Sequence, residues 1–275
     1  FQSTFFSPAR NGIIPQLFTE KESSEANGLI EMMQFMAIIF GTAVSSFALK
    51  NPWLLLIFPS VALIGALVSL KIPKRSAQDK SLKFNFNVIG DLYGSLKSVS
   101  KNKSLLFSIL GESYFYGIGV VLITCVLNMA KFSLGIEDAE AIKLQGSLLL
   151  VVLSVGMGLG CFLAGKLSRG IIELGLVPIG ISGLMLFMYD LSNAETVMRA
   201  GIDLGLMGIF GGFFILPLKV YVQQRSDEKQ RGRILAFDNF ISFVFMLGAS
   251  YLVFAGSDQG WFQDTRTVLK VCVAV

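Results

Sequence analysis

Histidine is absent from this sequence of 275 residues, cysteine occurs only three times, and charged residues make up only 15% of the chain. Without histidine, the chain cannot form histidine-based catalytic pairs or the commonest zinc sites. Cys125, Cys161 and Cys272 lie singly in apolar stretches with no CxxC pair, so a disulfide framework is not expected. A net charge of +4 does not predict a nucleic-acid-binding surface.

Apolar residues, by contrast, are abundant. They supply 53% of the chain before its 28 glycines are counted, and the mean hydropathy is +0.66. A chain this apolar must bury its surface, which excludes disorder. Seven nearly uncharged stretches are long enough to cross a bilayer, for which about 20 helical residues are needed. They are Ala26–Leu49, Trp53–Leu70, Ser104–Ala130, Leu144–Gly165, Gly170–Tyr189, Ala200–Gln223 and Ile234–Ser257.

These stretches are hydrophobic all round rather than striped, which favours membrane-spanning helices over a soluble helical bundle. The sequence lacks the short alternating segments of a β-barrel. We therefore predict an all-α polytopic membrane protein. Phe1–Phe18 resembles the last part of an earlier span and Thr267–Val275 the first part of a later one, so we expect the chain to be a fragment of a longer protein.

The distribution of lysine and arginine predicts the orientation. Because successive loops alternate between the two membrane faces, the positive residues can be counted separately for each face. Fifteen lie in Phe18–Glu25, Lys71–Lys103, Lys166–Arg169 and Gln224–Arg233, and five lie in the loops of the other face. The positive-inside rule assigns the first group of loops to the cytoplasm.

The long interior loop, Lys71–Lys103, carries eight positive residues and two acids. Its apolar residues between Val88 and Val99 recur at helical spacing, which predicts a basic amphipathic helix on the cytoplasmic membrane face; the alternative is a solvated linker. We expect this loop, at residues 73–103, to separate two helical halves. Residues 1–72 then hold the end of the N-terminal half, and residues 104–275 hold the C-terminal half.

Two stretches on either side of this loop share an arrangement of charges. In each, a cation stands two residues after a proline: Arg10 in the first stretch and Lys219 in the second. An acid follows, Glu31 after 21 residues and Asp238 after 19. Both copies run in the same direction through the membrane. This predicts a parallel repeat, of the kind that relates the two halves of major facilitator transporters.

The sequence motifs around these positions resemble those of one protein family. Phe6–Pro15 (FSPARNGIIP) and Ala26–Glu31 (ANGLIE) are similar to the end of helix four and the start of helix five of bacterial lysophospholipid transporters. Gly211–Leu218 (GGFFILPL), followed by Gln223–Arg225, resembles helix ten of the same family. The resemblance covers essentially the whole chain. It implies a major facilitator fold, of which the chain covers helix four (in part) to helix twelve (in part).

The resemblance also implies a function. The family imports lysophospholipids, chiefly lysophosphatidylethanolamine, across the bacterial inner membrane for reacylation. In some bacteria a similar transporter domain is fused to an acyltransferase and an acyl-carrier-protein ligase, and Gln224–Ala236 looks closer to these fused versions. Two positions depart from the stand-alone transporters, which tend to have asparagine at Lys219 and arginine at Ile123.

Charged groups inside a span cost roughly 2.5–3.5 kcal/mol at mid-helix and are therefore functional candidates. The candidate substrate-binding or coupling residues are Glu112, Arg10, Glu31, Lys219, Asp238, Asn27 and Asn239. Glu112 is expected about 12 Å into its span, where it cannot reach either membrane surface. The alternative role for Glu112 is structural, as a carboxyl group bonded to a neighbouring helix, and Tyr114 and Tyr116 are its candidate hydrogen-bond partners.

The other charged candidates have several open roles. Glu31 and Asp238 are expected either to contact substrate or to form gate ion pairs, which are Arg10 with Asp238, Lys219 with Glu31, or pairs within one half. Arg10 and Lys219 have a third option, which is to reach lipid phosphates at the membrane surface. Gly156, Gly158, Gly160 and Gly165, with Ala164, predict a small-residue face for close helix contact.

Two other functions remain open from the sequence. One is proton-coupled export of drugs or small metabolites, with Glu112 as the proton carrier. The other is the transporter part of a fused phospholipid acyltransferase. The chain has no candidate catalytic residue, metal-ligand set or cofactor motif, so we do not expect this chain itself to be an enzyme. The expected partners are lysophospholipid or another amphipathic small molecule, membrane lipids, and an acyltransferase domain in cis or in trans, with no nucleic acid.

Overall fold

The computed structural model describes residues 2–48, 51–73, 87–132, 139–168, 172–260 and 264–274, and all regular structure within these ranges is helical. A 3-10 helix at Pro52–Leu56 leads into the third α-helix. The α-helices are α1 (Gln2–Leu17), α2 (Glu20–Ala48), α3 (Ile57–Ser69), α4 (Val88–Ser100), α5 (Lys103–Phe132), α6 (Ala139–Leu167), α7 (Leu176–Ser192), α8 (Val197–Arg225), α9 (Arg231–Asp258) and α10 (Thr265–Ala274).

The seven predicted spans correspond to α2, α3 and α5 to α9. Within the described ranges, four helices are long and apolar enough to cross a membrane: Lys103–Met129, Leu144–Leu167, Val197–Arg225 and Arg231–Gly256. The predicted spans at α3 and α7 are shorter as helices than the sequence suggests, because a 3-10 helix precedes α3 and a turn at residues 174–175 precedes α7. The all-α polytopic architecture is as predicted.

Helices α6 and α8 pack against each other along a row of glycines. Gly156 lies against the backbone of Gly205 and Gly208, and one turn later Gly160 lies against Ile209. The contacts advance along both helices together, which means that α6 and α8 run in the same direction. Small residues let two helix backbones approach closely and so increase their van der Waals contact. The close helix contact predicted for the glycines of α6 is confirmed, but not on a single face: Gly156 and Gly160 contact α8, whereas Gly158 and Gly165 contact α2.

The same helix uses other glycines to contact α2. Gly165 lies against Gly28, and Gly158 lies against Met32. Here the order of contacts is reversed along α2, so α2 and α6 are antiparallel. Because α2 precedes the long loop and α6 follows it, this contact joins the two predicted halves of the chain.

Buried apolar side chains concentrate at the two ends of the helix bundle. At one end α5, α6, α7, α8 and α10 share a cluster that includes Met129 of α5, Leu204 of α8 and Leu269 of α10. At the other end α4, α5, α8 and α9 share a second cluster around Val99 and Val222. The first cluster also forms part of a cavity wall, because its members Met188 and Met207 line that cavity.

Candidate functional site

A cavity of about 380 Å³ lies among α5, α6, α7, α8 and α10, with Glu31 and Phe35 of α2 at one end. Its wall is largely apolar, with several methionine and aromatic side chains. These include Met157, Met185, Met188, Met207, Tyr114, Phe115, Tyr116 and Phe214. Methionine is flexible and polarisable and adapts to irregular apolar shapes. Such a wall suits a flexible apolar ligand better than a small polar one.

One end of this cavity carries an ion pair. The Lys219 Nζ atom donates a hydrogen bond of 2.6 Å to Glu31 Oε1, and both side chains are about nine-tenths buried. Lys219 lies on α8 six residues before its last residue, Arg225, at the end of the helix that the charge distribution assigns to the cytoplasm. The two partners are 188 residues apart in sequence and come from opposite predicted halves. This is one of the two cross-half pairs considered from the sequence.

A second polar contact lies one helical turn further toward the same face. Asn27 Nδ2 donates to Gln223 Oε1 at 2.9 Å and also to the carbonyl oxygen of Ser23. Asn27 precedes Glu31 by four residues on α2, and Gln223 follows Lys219 by four on α8. Positions four apart lie on one helix face. The two bonds therefore form consecutive rungs between antiparallel helices, and we call these four residues (Asn27, Glu31, Lys219 and Gln223) the α2–α8 ladder.

Two further carboxylates lie close to Lys219. Glu112 on α5 and Asp238 on α9 are 3% and 7% exposed, and Glu112 interacts electrostatically with Asp238, Lys219 and Glu31. Glu112 Oε2 and Asp238 Oδ1 have no hydrogen-bond partner among the described residues. Glu31, Glu112 and Asp238 are thus three buried carboxyl groups near one buried ammonium group, and the bond to Lys219 is made by Glu31. Buried polar atoms without partners are costly, so these oxygens are available to bind a donor.

Helices α5 and α9 hold these two acids in place. Ser113 and Ser242 share a hydrogen bond of 3.2 Å between their hydroxyl groups, and Gly117 packs against the backbone of Phe245. Ser113 follows Glu112 directly, and Ser242 lies one turn after Asp238. The hydroxyl pair therefore fixes the register of α5 against α9, with Glu112 one residue and Asp238 four residues before the contact.

Not every candidate joins this site. The expected pair of Arg10 with Asp238 is not formed: the Arg10 guanidinium donates to Gln34 Oε1 at 2.9 Å and to Asn11 Oδ1 at 3.3 Å. Gln34 is within reach because it lies on α2, which follows α1 directly in the chain. Asn239 does not line the cavity, and neither do Glu112, Asp238 and Asn27. Tyr114 and Tyr116 line the cavity but leave Glu112 Oε2 unbonded.

Gln223 is a site residue that the sequence reasoning missed as a candidate. It is fully buried and bonds across the two halves, yet it carries no charge and so does not stand out. A usable signal is present, because its spacing of four from Lys219 repeats the spacing of Asn27 from Glu31. The methionines of the cavity wall could not be identified from the sequence, because methionines are also common in ordinary cores.

A methyl group at Gly28 is expected to weaken the closure of the two halves. The added Cβ would lie 2.6 Å from the carbonyl oxygen of Cys161 and 3.2 Å from the Cα of Gly165, so Gly28→Ala must push α2 away from α6. We expect the fully buried Cys161 thiol to react several times faster with a small maleimide, as measured by mass spectrometry.

The matched control for this experiment is Gly41→Ala on the same helix, where a Cβ meets nothing within 4 Å. This control is expected to leave the reactivity of Cys161 unchanged. Cys125, which is also fully buried but belongs to the apolar cluster around Met129, serves as an internal reference. Equal protection of Cys161 in Gly28→Ala and in the parent protein would show that the contact does not control access.

Comparisons with known proteins place this geometry in context. The family model described as the Major Facilitator Superfamily matches residues 1–250. The chain is 29% identical over 252 residues to the lysophospholipid transporter LplT of Escherichia coli and of Shigella boydii, and each alignment covers 88% of this chain and 62% of the relative. The chain thus spans less than two thirds of the length of these relatives.

A solved structure shares the fold. The crystal structure of the E. coli fucose:proton symporter FucP superposes with a TM-score of 0.66 at 14% sequence identity, covering 97% of this chain and 70% of that one. At this identity the likeness concerns the arrangement of helices alone. That arrangement agrees with the one expected from the family resemblance.

Proposed function

Because this chain belongs to the Major Facilitator Superfamily, whose model matches residues 1–250, we propose that the protein moves lysophospholipid across the bacterial inner membrane by alternating access. The observation that carries the proposal is the cavity itself, in which a largely apolar wall ends at the buried Lys219–Glu31 pair. An amphipathic molecule with one acyl chain and a charged headgroup matches a cavity that is apolar along its wall and charged at one end. The similarity to the lysophospholipid transporter LplT supports the same substrate class.

The charges at the end of the cavity suit a zwitterionic headgroup of the phosphoethanolamine kind. Lys219 supplies a cation for the phosphate, and charge-assisted hydrogen bonds to phosphate are among the strong ones. The unbonded oxygens of Glu112 and Asp238, which lie outside the cavity lining, are the acceptors that we assign to the ammonium group. The acyl chain then extends along the methionine and aromatic side chains of the wall.

Headgroup binding and the closure of the halves compete for the same lysine. In the described state Lys219 is bonded to Glu31 of the other half, so a phosphate that binds Lys219 weakens this rung of the α2–α8 ladder. A ligand shifts a conformational equilibrium only by its difference in affinity for the two states. When the phosphate replaces Glu31 as the partner of Lys219, the substrate binds the state without the Lys219–Glu31 bond more tightly. Substrate binding therefore favours separation of the two halves on the face assigned to the cytoplasm.

The proposed location and partners follow from this role. Import across the inner membrane delivers the lysophospholipid to the cytoplasmic leaflet, where an acyltransferase domain, in the same chain or in a separate one, restores the second acyl chain. The chain described here carries out transport rather than catalysis in this scheme.

Uptake of labelled lysophosphatidylethanolamine by spheroplasts that express the complete gene tests the proposal. We expect uptake above that of the vector control. We expect Glu112→Gln to lower it by roughly 10- to 100-fold, as the loss of a charge-assisted hydrogen bond of roughly 1.5–3 kcal/mol predicts. The amount of variant in the membrane is measured by immunoblotting in parallel.

Glu228→Gln is the control, because Glu228 is an exposed carboxyl group in the turn between α8 and α9; its uptake should equal that of the parent protein. If the parent protein fails to take up the lipid while a proton gradient drives dye efflux, the protein is an exporter instead. Normal uptake by Glu112→Gln would leave the transport proposal standing but assign Glu112 to packing.

A further inference from the structure

Helix α4 is fastened to the C-terminal group of helices by polar contacts. Asp91 Oδ1 accepts a hydrogen bond of 2.9 Å from Arg233, and Ser98 donates to Gln230 Oε1 at 2.9 Å. At its start, Asn87 Oδ1 accepts from the backbone N–H of Gly90 and caps the helix. Both long-range partners belong to the first turn of α9 or to the residue before it, so α4 and α9 are held together.

The apolar contacts of α4 set its depth. Val99 is fully buried in a cluster with Leu105 of α5 and Ile234 of α9. Both partners lie within the first turn of their helices, which begin at Lys103 and Arg231. These helix starts are also the first residues of two helices that are long and apolar enough to cross a membrane. Helix α4 therefore lies at the level of the membrane boundary.

A stripe of apolar side chains on α4 faces away from these contacts. Ile89, Tyr93 and Leu96 are 81%, 68% and 45% exposed, and their spacing of four and three places them on one helix face. Within the part of the chain that the structure describes, their side chains have little cover. The sequence pattern predicts a single apolar face for this segment. The structure divides it, because Leu92 and Val99 pack against α5 and α9 instead.

The charge beside this stripe is positive. Lys97 and Lys101 are exposed and lie next to the stripe in the helical projection, whereas Asp91, the acid of α4, is paired with Arg233. An apolar stripe flanked by lysines on a helix at the membrane boundary is the pattern of helices that lie in the headgroup region. Each lysine near an anionic surface adds favourable electrostatic energy.

We propose that Ile89, Tyr93 and Leu96, with Lys97 and Lys101, form a binding surface for anionic phospholipids of the leaflet on which α4 lies. The apolar side chains enter the headgroup region, and the two ammonium groups bind lipid phosphates. This surface is separate from the cavity and does not depend on which substrate the protein transports. Because α4 is fastened to α5 and α9, the lipid holds this group of helices at a set depth.

The test uses the full-length protein in nanodiscs, with Tyr93→Cys labelled by the environment-sensitive fluorophore NBD. One set of discs contains phosphatidylcholine alone, and in the other about a third of the lipid is phosphatidylglycerol, a content at which surface attraction of lysines is strong. We expect the emission of the label to be blue-shifted. Quenching by lipids that carry a nitroxide near the headgroup should be at least about twofold stronger in the anionic discs than in the neutral ones. The labelled parent protein supplies the background.

Two controls make the result specific. Lys97→Glu combined with Lys101→Glu, in the Tyr93→Cys background, should abolish the difference between the two kinds of disc. A label at Glu228→Cys, which is exposed in the turn after α8 and outside α4, should be quenched to the same extent in the two kinds of disc.

Three outcomes would overturn the proposal. A water-like emission at position 93 in both discs would show that the stripe is solvated. A shielded label that lipid nitroxides do not quench in either disc would show that another part of the protein, or a second protein, covers the stripe. Equal quenching in neutral and anionic discs, unaffected by the lysine substitutions, would show apolar insertion without recognition of anionic headgroups.

Discussion

Transport is expected to fall below detection when Lys219 is replaced by methionine. Lys219 is the ammonium group of the α2–α8 ladder and lies among the buried carboxyl groups of Glu31, Glu112 and Asp238. Removing it takes away the proposed phosphate contact and leaves these acids without their cation. Removal of one partner of a buried ion pair costs roughly 3–5 kcal/mol, so stability should fall as well. Uptake in spheroplasts and the thermal midpoint of the purified protein are the two measurements.

A second variant separates the loss of function from the loss of stability. In Lys219→Met combined with Glu31→Gln, no unpaired carboxylate remains at position 31, and we expect much of the lost thermal stability to return. Uptake should stay at background, because the phosphate contact is still missing. Restored uptake in this double variant would show that Lys219 only neutralises Glu31 and does not bind substrate.

Alanine at Gly160 or Gly212 is expected to lower stability by forcing α6 and α8 apart. A Cβ at Gly160 would overlap the backbone of Ile209, and a Cβ at Gly212 would overlap the backbone of Gly160 and Cys161. Since backbone atoms cannot rotate aside, α6 and α8 must separate. Overpacking in a core costs about 1–3 kcal/mol, occasionally more, and this helix pair supports the α8 wall of the cavity. Size-exclusion chromatography in detergent after graded heating measures the loss.

Gly119→Ala and Gly248→Ala are matched controls within helices of the same bundle. A Cβ at either position meets nothing within 4 Å, and alanine favours the helix over glycine by about 1 kcal/mol. Both controls should therefore be neutral or slightly stabilising. If Gly160→Ala behaves like these controls, the close approach of α6 and α8 is not needed for stability.

Most helix positions could be predicted from the sequence, whereas the residues at which the helices begin and end were predicted less well. Long uncharged stretches in a chain with this composition have few alternatives to membrane helices. The sequence places the start of α7 too early, because Gly170 and the residues after it are apolar enough to extend the hydropathy window, whereas Leu174 and Gly175 form a turn. Hydropathy measures the preference for lipid and does not report where the backbone changes direction.

The charged residues of the candidate site could be identified from the sequence, but the pairs that they form could not. Glu31, Glu112, Lys219 and Asp238 stand out because charges are rare inside apolar spans. Their roles in transport remain predictions. Gln223 was missed because an uncharged amide carries no such signal, although it forms the second rung of the α2–α8 ladder.

The sequence by itself determined that the chain is a polytopic helical membrane protein with a few charges inside its spans, because hydropathy and the cost of buried charge act locally along the chain. Only the tertiary structure decided which charges meet. Lys219 bonds Glu31, while Arg10 bonds Gln34 and not Asp238. Such pairings depend on which helix faces come into contact, and here contacts between distant segments, such as Gly28 with Gly165, set that arrangement.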